Sequence, residues 1–121
     1  MPMIATNTVP GRSGYRLTQT QRTELVRRYY EGVTVKAEMD QLSPRTLAEK
    51  FDLDYNVTKH MRRGYYSTHP DYPLIRECLE EYSRLRRIWQ QNNIPAITRD
   101  MGTDRAVLLR VVDEYEQEKL T

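Results

Sequence analysis

Tyr55, Asn56, Thr58, Lys59 and Arg62 stand within one eight-residue stretch that holds no carboxylate. Their phenol, amide, hydroxyl, ammonium and guanidinium groups match a base-pair edge and its phosphates. Asn56 suits adenine, Lys59 or Arg62 suits guanine or phosphate, and Tyr55 and Thr58 suit the backbone or a thymine methyl. His60 and Arg63 lie at the margin of this set. Further cations extend it: Arg45 just upstream, Arg12 and Arg16 near the N-terminus, Arg105 and Arg110 near the other end. Little in the chain suits catalysis or metal binding. His60 and His69 are nine apart with no His, Cys or Asp cluster at ligand spacing, and there is neither a glycine-rich phosphate loop nor a nucleophile elbow. No enzyme activity, metal or cofactor is expected, and double-stranded DNA is the expected partner.

Such a set reads DNA only if a helix holds it clear of the body. Leu47-Ala48, Phe51-Asp52, Asp54, Val57 and Met61 recur fifty residues later as Ile97-Thr98, Met101-Gly102, Asp104, Val107 and Val111. Each copy offers a short apolar helix, a break and a second helix with apolar positions three to four apart, the layout of a helix-turn-helix. Ser43 as cap and Pro44 at the first position start a helix that runs to about Lys50. Asp54 caps the next helix, which continues to Arg62 or Arg63 before Gly64. With Val57 and Met61 turned inward, Tyr55, Asn56, Thr58, Lys59 and Arg62 face out. In the second copy Pro95 opens a short helix, Gly102 marks the turn, and Thr103 or Asp104 caps a last helix reaching about Lys119.

A leading helix precedes each pair. Thr18 and Gln21 form a capping-box start, and Leu25, Val26, Tyr29 and Tyr30 mark an apolar face up to Gly32. Residues 33–42 show no clear period and are read as a loop or a short extra turn. Residues 74–92 read as a long helix that buries Leu74, Cys78, Leu79, Tyr82, Leu85, Ile88 and Trp89. Trp89 and the tyrosine pairs 29/30 and 65/66 are read as packing groups rather than base-stacking ones. Matching Leu25 to Leu85 and Tyr29 to Trp89 completes a duplicated three-helix unit. The expected fold is all-α, a tandem helix-turn-helix of about six helices: a basic arm over 1–14, a first unit over 15–64, a linker over 65–73 and a second unit over 74–121.

Composition agrees with short amphipathic helices: of 121 residues 38% are hydrophobic and 30% charged, with only 5 Gly. The net charge of +2 is small, yet residues 1–64 carry 11 Lys and Arg against 7 acids, and residues 65–121 carry 8 against 10. Fifteen of the 19 cations are Arg, whose fork suits phosphate and guanine, or which reflects genome composition or helix preference. The lone Cys78 excludes an internal disulfide and reads as a small apolar residue. No run approaches the ~20 apolar residues of a membrane span, and no secretion signal opens the chain, so a cytoplasmic, nucleoid-associated location in a bacterial host cell is expected.

The two copies differ on their outer faces. The second has Ala106 and Leu109 where a reader would be polar, and Asp100, Asp104 and Asp113 oppose a phosphate backbone. Its last helix carries a broad apolar stripe that closes the monomer's own core or, through Leu109, Val112 and Tyr115, packs on a second subunit as a homodimer.

The stretch YNVTKHMRRGYY, residues 55–66, resembles the ends of recognition helices in phage helix-turn-helix proteins and in DNA-binding modules attached to phage homing nucleases. LTQTQRTELVRRYYEG, residues 17–32, is similar to the first helix of regulators and of insertion-sequence transposase DNA-binding domains. The resemblance implies DNA binding. The chain departs from that superfamily at two points: Asp52 stands where Gly is usual, and the inward apolar residue usually comes one place after Val57. The leading expectation is a small phage or bacterial transcriptional regulator that reads duplex DNA with residues 54–63. The alternatives are a phage factor that grips a host protein, and a DNA-packaging or recombination accessory such as a small terminase subunit.

Overall fold

The computed structural model describes residues 17–120. The arm expected over 1–14, with Arg12, and Arg16 beside it, lies outside the described residues. Among the described residues the chain is all-α: α1 (Gln19–Asp40), α2 (Pro44–Lys50), α3 (Tyr55–Met61), α4 (Tyr72–Asn92), α5 (Ile94–Met101) and α6 (Arg105–Leu120).

The start of α1 is the reciprocal pair the sequence predicts. The Thr18 amide donates to Gln21 Oε1 at 2.8 Å and the Gln21 amide donates to Thr18 Oγ1 at 3.1 Å. Its end is not. The helix continues through Gly32 and through the expected loop to Asp40. Val35 and Met39, one helical turn apart, are buried with Leu85 of α4, and Leu42, Tyr82, Ile88 and Trp89 pack around them. Of the five apolar residues in that stretch, Val33, Val35, Ala37, Met39 and Leu42, only Val35 and Met39 are buried; the sequence period is weak, but a partner surface suffices to hold the helix. Gly32 serves close approach instead of termination: a Cβ there would lie 2.3 Å from the Asn92 carbonyl oxygen.

Among the described residues, contacts divide the chain into a first unit, residues 17–33 with 90–120, and a second unit, residues 34–89. The division falls within α1 and α4, so the units are not the consecutive segments 15–64 and 74–121 that the duplicated pattern suggested. In the first unit the opening of α1 packs on α5 and α6: Leu25, Val26, Ile97, Val107, Leu108, Val111 and Val112 form its core. Arg28 is the polar clasp of this unit. Its guanidinium donates to the Gln91 carbonyl and to Asn92 Oδ1 near the end of α4, and bonds Asp100 of α5 at 2.9 Å. A cation on the last carbonyls of a helix satisfies acceptors that have no intrahelical donor.

In the second unit Leu47, Met61, Ile75 and Leu79 form one cluster, with Phe51, Leu53, Val57, Tyr72 and Cys78 packed against it. Leu74, expected inside, is 51% exposed, and Ile75 beside it is fully buried. The buried stripe of α4 runs 75, 79, 82 and 85 at helical spacing, and Leu74 sits about a hundred degrees off it. Half-buried Cys78 lines the same cluster, the small apolar role expected of it.

The fifty-residue repeat is visible in the backbone. Ser43 and Asn93 cap α2 and α5 by accepting from the amides of Thr46 and Ala96. The Leu53 amide donates to the Ala48 carbonyl at 2.8 Å, and the Thr103 amide to the Thr98 carbonyl at 3.0 Å. Asp52 and Gly102 between them are left-handed, at φ 55° and 64°. Asp54 and Asp104 then cap α3 and α6, accepting from the amides of Asn56 and Val107.

Candidate nucleic-acid interface

The face of α3 follows from that shared turn. Because Asp52 takes the left-handed corner that Gly102 takes in the second copy, the two turns have equal length and Thr58 falls in register with Leu108. Both are fully buried. Thr58 therefore points inward, donating from Oγ1 to the Asp54 carbonyl at 3.1 Å, and it leaves the outward set in which the sequence placed it. Val57 is only half-buried. It packs on the cluster of Leu47 and Met61 as expected, so the inward side of α3 includes Val57 and also Thr58, which is polar and satisfied by its own helix. Tyr55, Asn56, Lys59, Arg62 and Arg63 are exposed, as expected.

Ala48 of α2 is buried, and α2 and α3 pack on each other. Arg45 of α2 extends toward α3: its guanidinium lies 4.9 Å from the Tyr55 ring centre, and the Lys59 ammonium lies 5.7 Å from the same ring. Tyr55 thus gathers two cations at the N-terminal half of α3, each attracted by the ring's negative face.

Helix α4 also belongs to this face, a contribution not expected from the sequence. Tyr55, Lys59, His60, Arg62 and Arg63 form one wall of a groove of about 360 Å³, and Tyr82, Ser83 and Arg86 of α4 stand opposite. A neighbouring depression is lined by Arg62, Arg63, Glu80, Ser83 and Arg87. The run Arg84-Leu85-Arg86-Arg87 was the available signal. Its Leu85 is core, so the flanking cations must point away from it.

Pairing divides the cations. Arg22, Arg27, Arg28, Lys36, Arg76, Arg84 and Arg99 each bond a carboxylate. Among the described residues no ion pair involves Arg45, Lys59, Arg62, Arg63, Arg86 or Arg87, and Lys50, Arg105 and Lys119 also take part in none. The second unit as a whole is nearly neutral, with ten Lys and Arg against nine Asp and Glu over residues 34–89, so any positive field is local to the side where Lys59, Arg62, Arg63 and Arg86 gather. The paired carboxylates elsewhere are occupied. Arg28, then Arg99, hold Asp100 below its ordinary range, and Arg84 does the same to Glu81. Glu116 accepts a hydrogen bond from the Tyr30 hydroxyl, pushing that phenol up to about 12.

Arg105 and Arg110 are exposed on α6 and belong to the first unit. Of the three residues expected at a subunit contact, Leu109 and Tyr115 are 37% and 38% exposed. Val112 is buried in its own unit's core and is not available to a second copy. Among the described residues no helix is long and apolar enough to cross a membrane, and no three His, Cys, Asp or Glu side chains gather as a metal group. Comparison with protein-family models, with curated proteins and with solved structures found no match to this chain.

Proposed function

We propose that the second unit binds double-stranded DNA, with α3 in the major groove and Arg86 and Arg87 of α4 on the flanking phosphates, as a small transcriptional regulator of phage or bacterial type. The observation that carries this reading is that Lys59, Arg62, Arg63 and Arg86, none in an ion pair among the described residues, line one groove with Tyr55, that Arg45 lies on the same ring, and that Arg87 joins Arg62 and Arg63 in the depression beside it. A seven-residue helix is about 10 Å long, short enough to seat its whole outward face in a groove about 12 Å wide. Asn56 reads adenine, Lys59 and Arg62 read guanine or phosphate, and Arg45, Arg63, Arg86 and Arg87 set the register on the backbone.

Titration of the protein against random-sequence duplex across a salt series tests this. Affinity falling steeply with salt, with a log–log slope of roughly −0.9 for each phosphate neutralised, is expected. No binding at low salt would remove DNA as partner and favour a protein partner. A second reading has its own support: exposed Leu109 and Tyr115 on α6 favour self-association, which would present two such faces to one site. A monomer in light scattering at high concentration would exclude it.

A further inference from the structure

We propose that Tyr65 and Tyr66, in the turn that follows α3, form a second contact to the same duplex by laying their rings on sugar and base faces at the margin of the groove. This rests on the DNA-binding reading above. Sequence alone suggests packing groups for this tyrosine pair, but the two are 62% and 51% exposed and belong to none of the hydrophobic clusters.

The turn is held open to solvent by its own bonds. The Arg63 and Gly64 amides donate to the His60 and Met61 carbonyls at 3.0 Å, and the His69 amide donates to the Tyr66 carbonyl at 3.1 Å. The Asp71 amide donates to His69 Nδ1 at 3.0 Å. The Tyr65 ring meets the His60 ring edge-on at 6.0 Å, which fixes it beside the C-terminal end of α3. Tyr66 is left-handed at φ 61°, a conformation that a bulky side chain rarely adopts and that glycine or asparagine would enter more easily. Such backbone persists only where the surrounding structure holds it, and it gathers at functional sites. Here folding gains little from the ring, since it is half exposed.

Charge names the occupant. From Tyr55 to Pro70 the chain has no Asp or Glu, although 17 are spread through the rest, while Lys59, Arg62 and Arg63 lie in that stretch. An exposed aromatic pair set in an acid-free cationic strip fits a polyanion with flat apolar faces, which is a nucleic acid. An acidic protein surface would leave the two rings without a matching face.

The test is fluorescence anisotropy of labelled random-sequence duplex DNA with the full chain, its Tyr65→Ala variant and its Tyr66→Gly variant, across a salt series, with thermal unfolding of each. Each variant is expected to bind about five- to tenfold more weakly at every salt concentration with an unchanged slope, because stacking releases no counterion. Tyr66→Gly is expected to unfold at the same or a higher temperature than the parent, so that weaker binding cannot come from misfolding. Unchanged affinity in both variants, with the parent binding, would overturn the aromatic contact and leave α3 as reader. A shallower slope in either variant would show that the turn acts only by placing cations on phosphate, which also overturns it. No binding by the parent would overturn both this contact and the reading beneath it.

Discussion

Asp52 and Gly102 turn the same corner, at φ 55° and 64°, and each is followed by a capping Asp two places on. From that point the two helices diverge. After the Asp52 turn, α3 runs seven residues, buries Thr58 and Met61, and sets Asn56, Lys59 and Arg62 outside. After the Gly102 turn, α6 runs sixteen residues, buries Val107, Leu108, Val111 and Val112, and carries an exposed run of Asp113, Glu114, Glu116 and Glu118. One turn geometry thus supports two kinds of helix, and the side chains after it decide which. In the first copy, one inward position is given to a hydroxyl bonded to its own helix and the outward ones to cations. In the second, aliphatic residues fill the inward positions, and the carboxylates beyond them suit a scaffold better than a phosphate contact.

That contrast is tested most severely at the matched core positions. Leu108→Ala should cost about 2–5 kcal/mol, because it empties a fully buried site in the first unit. Thr58→Ala should cost only about 1 kcal/mol, since the Asp54 carbonyl that loses the hydroxyl still accepts the Thr58 amide at 3.0 Å. Urea unfolding of the two variants measures both, and equal losses would mean that the copies are not built on different cores. The corners themselves come next. Gly102→Ala should lower stability by about 1 kcal/mol through its positive φ alone, as no atom lies within 4 Å of the place its Cβ would take. Asp52→Gly should raise stability by a few tenths to about 1 kcal/mol for the converse reason. A fall in thermal midpoint for Asp52→Gly would show that the aspartate side chain, not only its backbone, holds the first turn.

The smallest effect concerns the clasp of the first unit. Asp100 titrates below its ordinary 3.8 because Arg28, then Arg99, bond its carboxylate. A carboxylate with a depressed folded pKa adds stability that is fully present above its unfolded value and is lost as pH falls through the folded one. Thermal midpoints should therefore fall below about pH 4, and Asp100→Asn should flatten part of that fall. The gain is slight, since the Asp100 side chain is 45% exposed and water screens the pair. An acid profile unchanged by Asp100→Asn would assign the loss to other carboxylates.

What could be read from the chain was local. Ser43-Pro44, Asp54 and the Thr18/Gln21 pair announce helix starts because a cap is a contact between residues three apart or fewer. What could not be read was set at long range. Gly32 carries a helix-end signal, and only the Asn92 carbonyl, sixty residues on, shows that it is a point of close approach. The period in residues 33–42 is faint until Leu85 is placed against Val35 and Met39. Likewise the duplicated pattern is contiguous in sequence, but the packing that closes each unit draws on both α1 and α4. At the candidate face the cations of α3 were legible and those of α4 were not, because Arg86 joins the groove, and Arg87 the depression beside it, only once Leu79 and Leu85 are seen to be core. Thr58 was misplaced since residue type stood in for burial, and the turn geometry that decides its direction was hidden in an aspartate that takes a glycine's conformation.

Duplex binding by matched charge deletions, one pair from each copy, bears most directly on the asymmetry. Lys59→Ala/Arg62→Ala and Arg105→Ala/Arg110→Ala each remove two cations and leave the net charge equal. Anisotropy titrations over a salt series should find affinity in the first pair reduced at least about tenfold at low salt, and its slope shallower by up to about two, against the parent protein. The second pair should stay within about twofold of the parent, the change expected from long-range charge alone. Equal losses in the two pairs, or a loss confined to Arg105 and Arg110, would contradict the assignment of α3 as the reading helix.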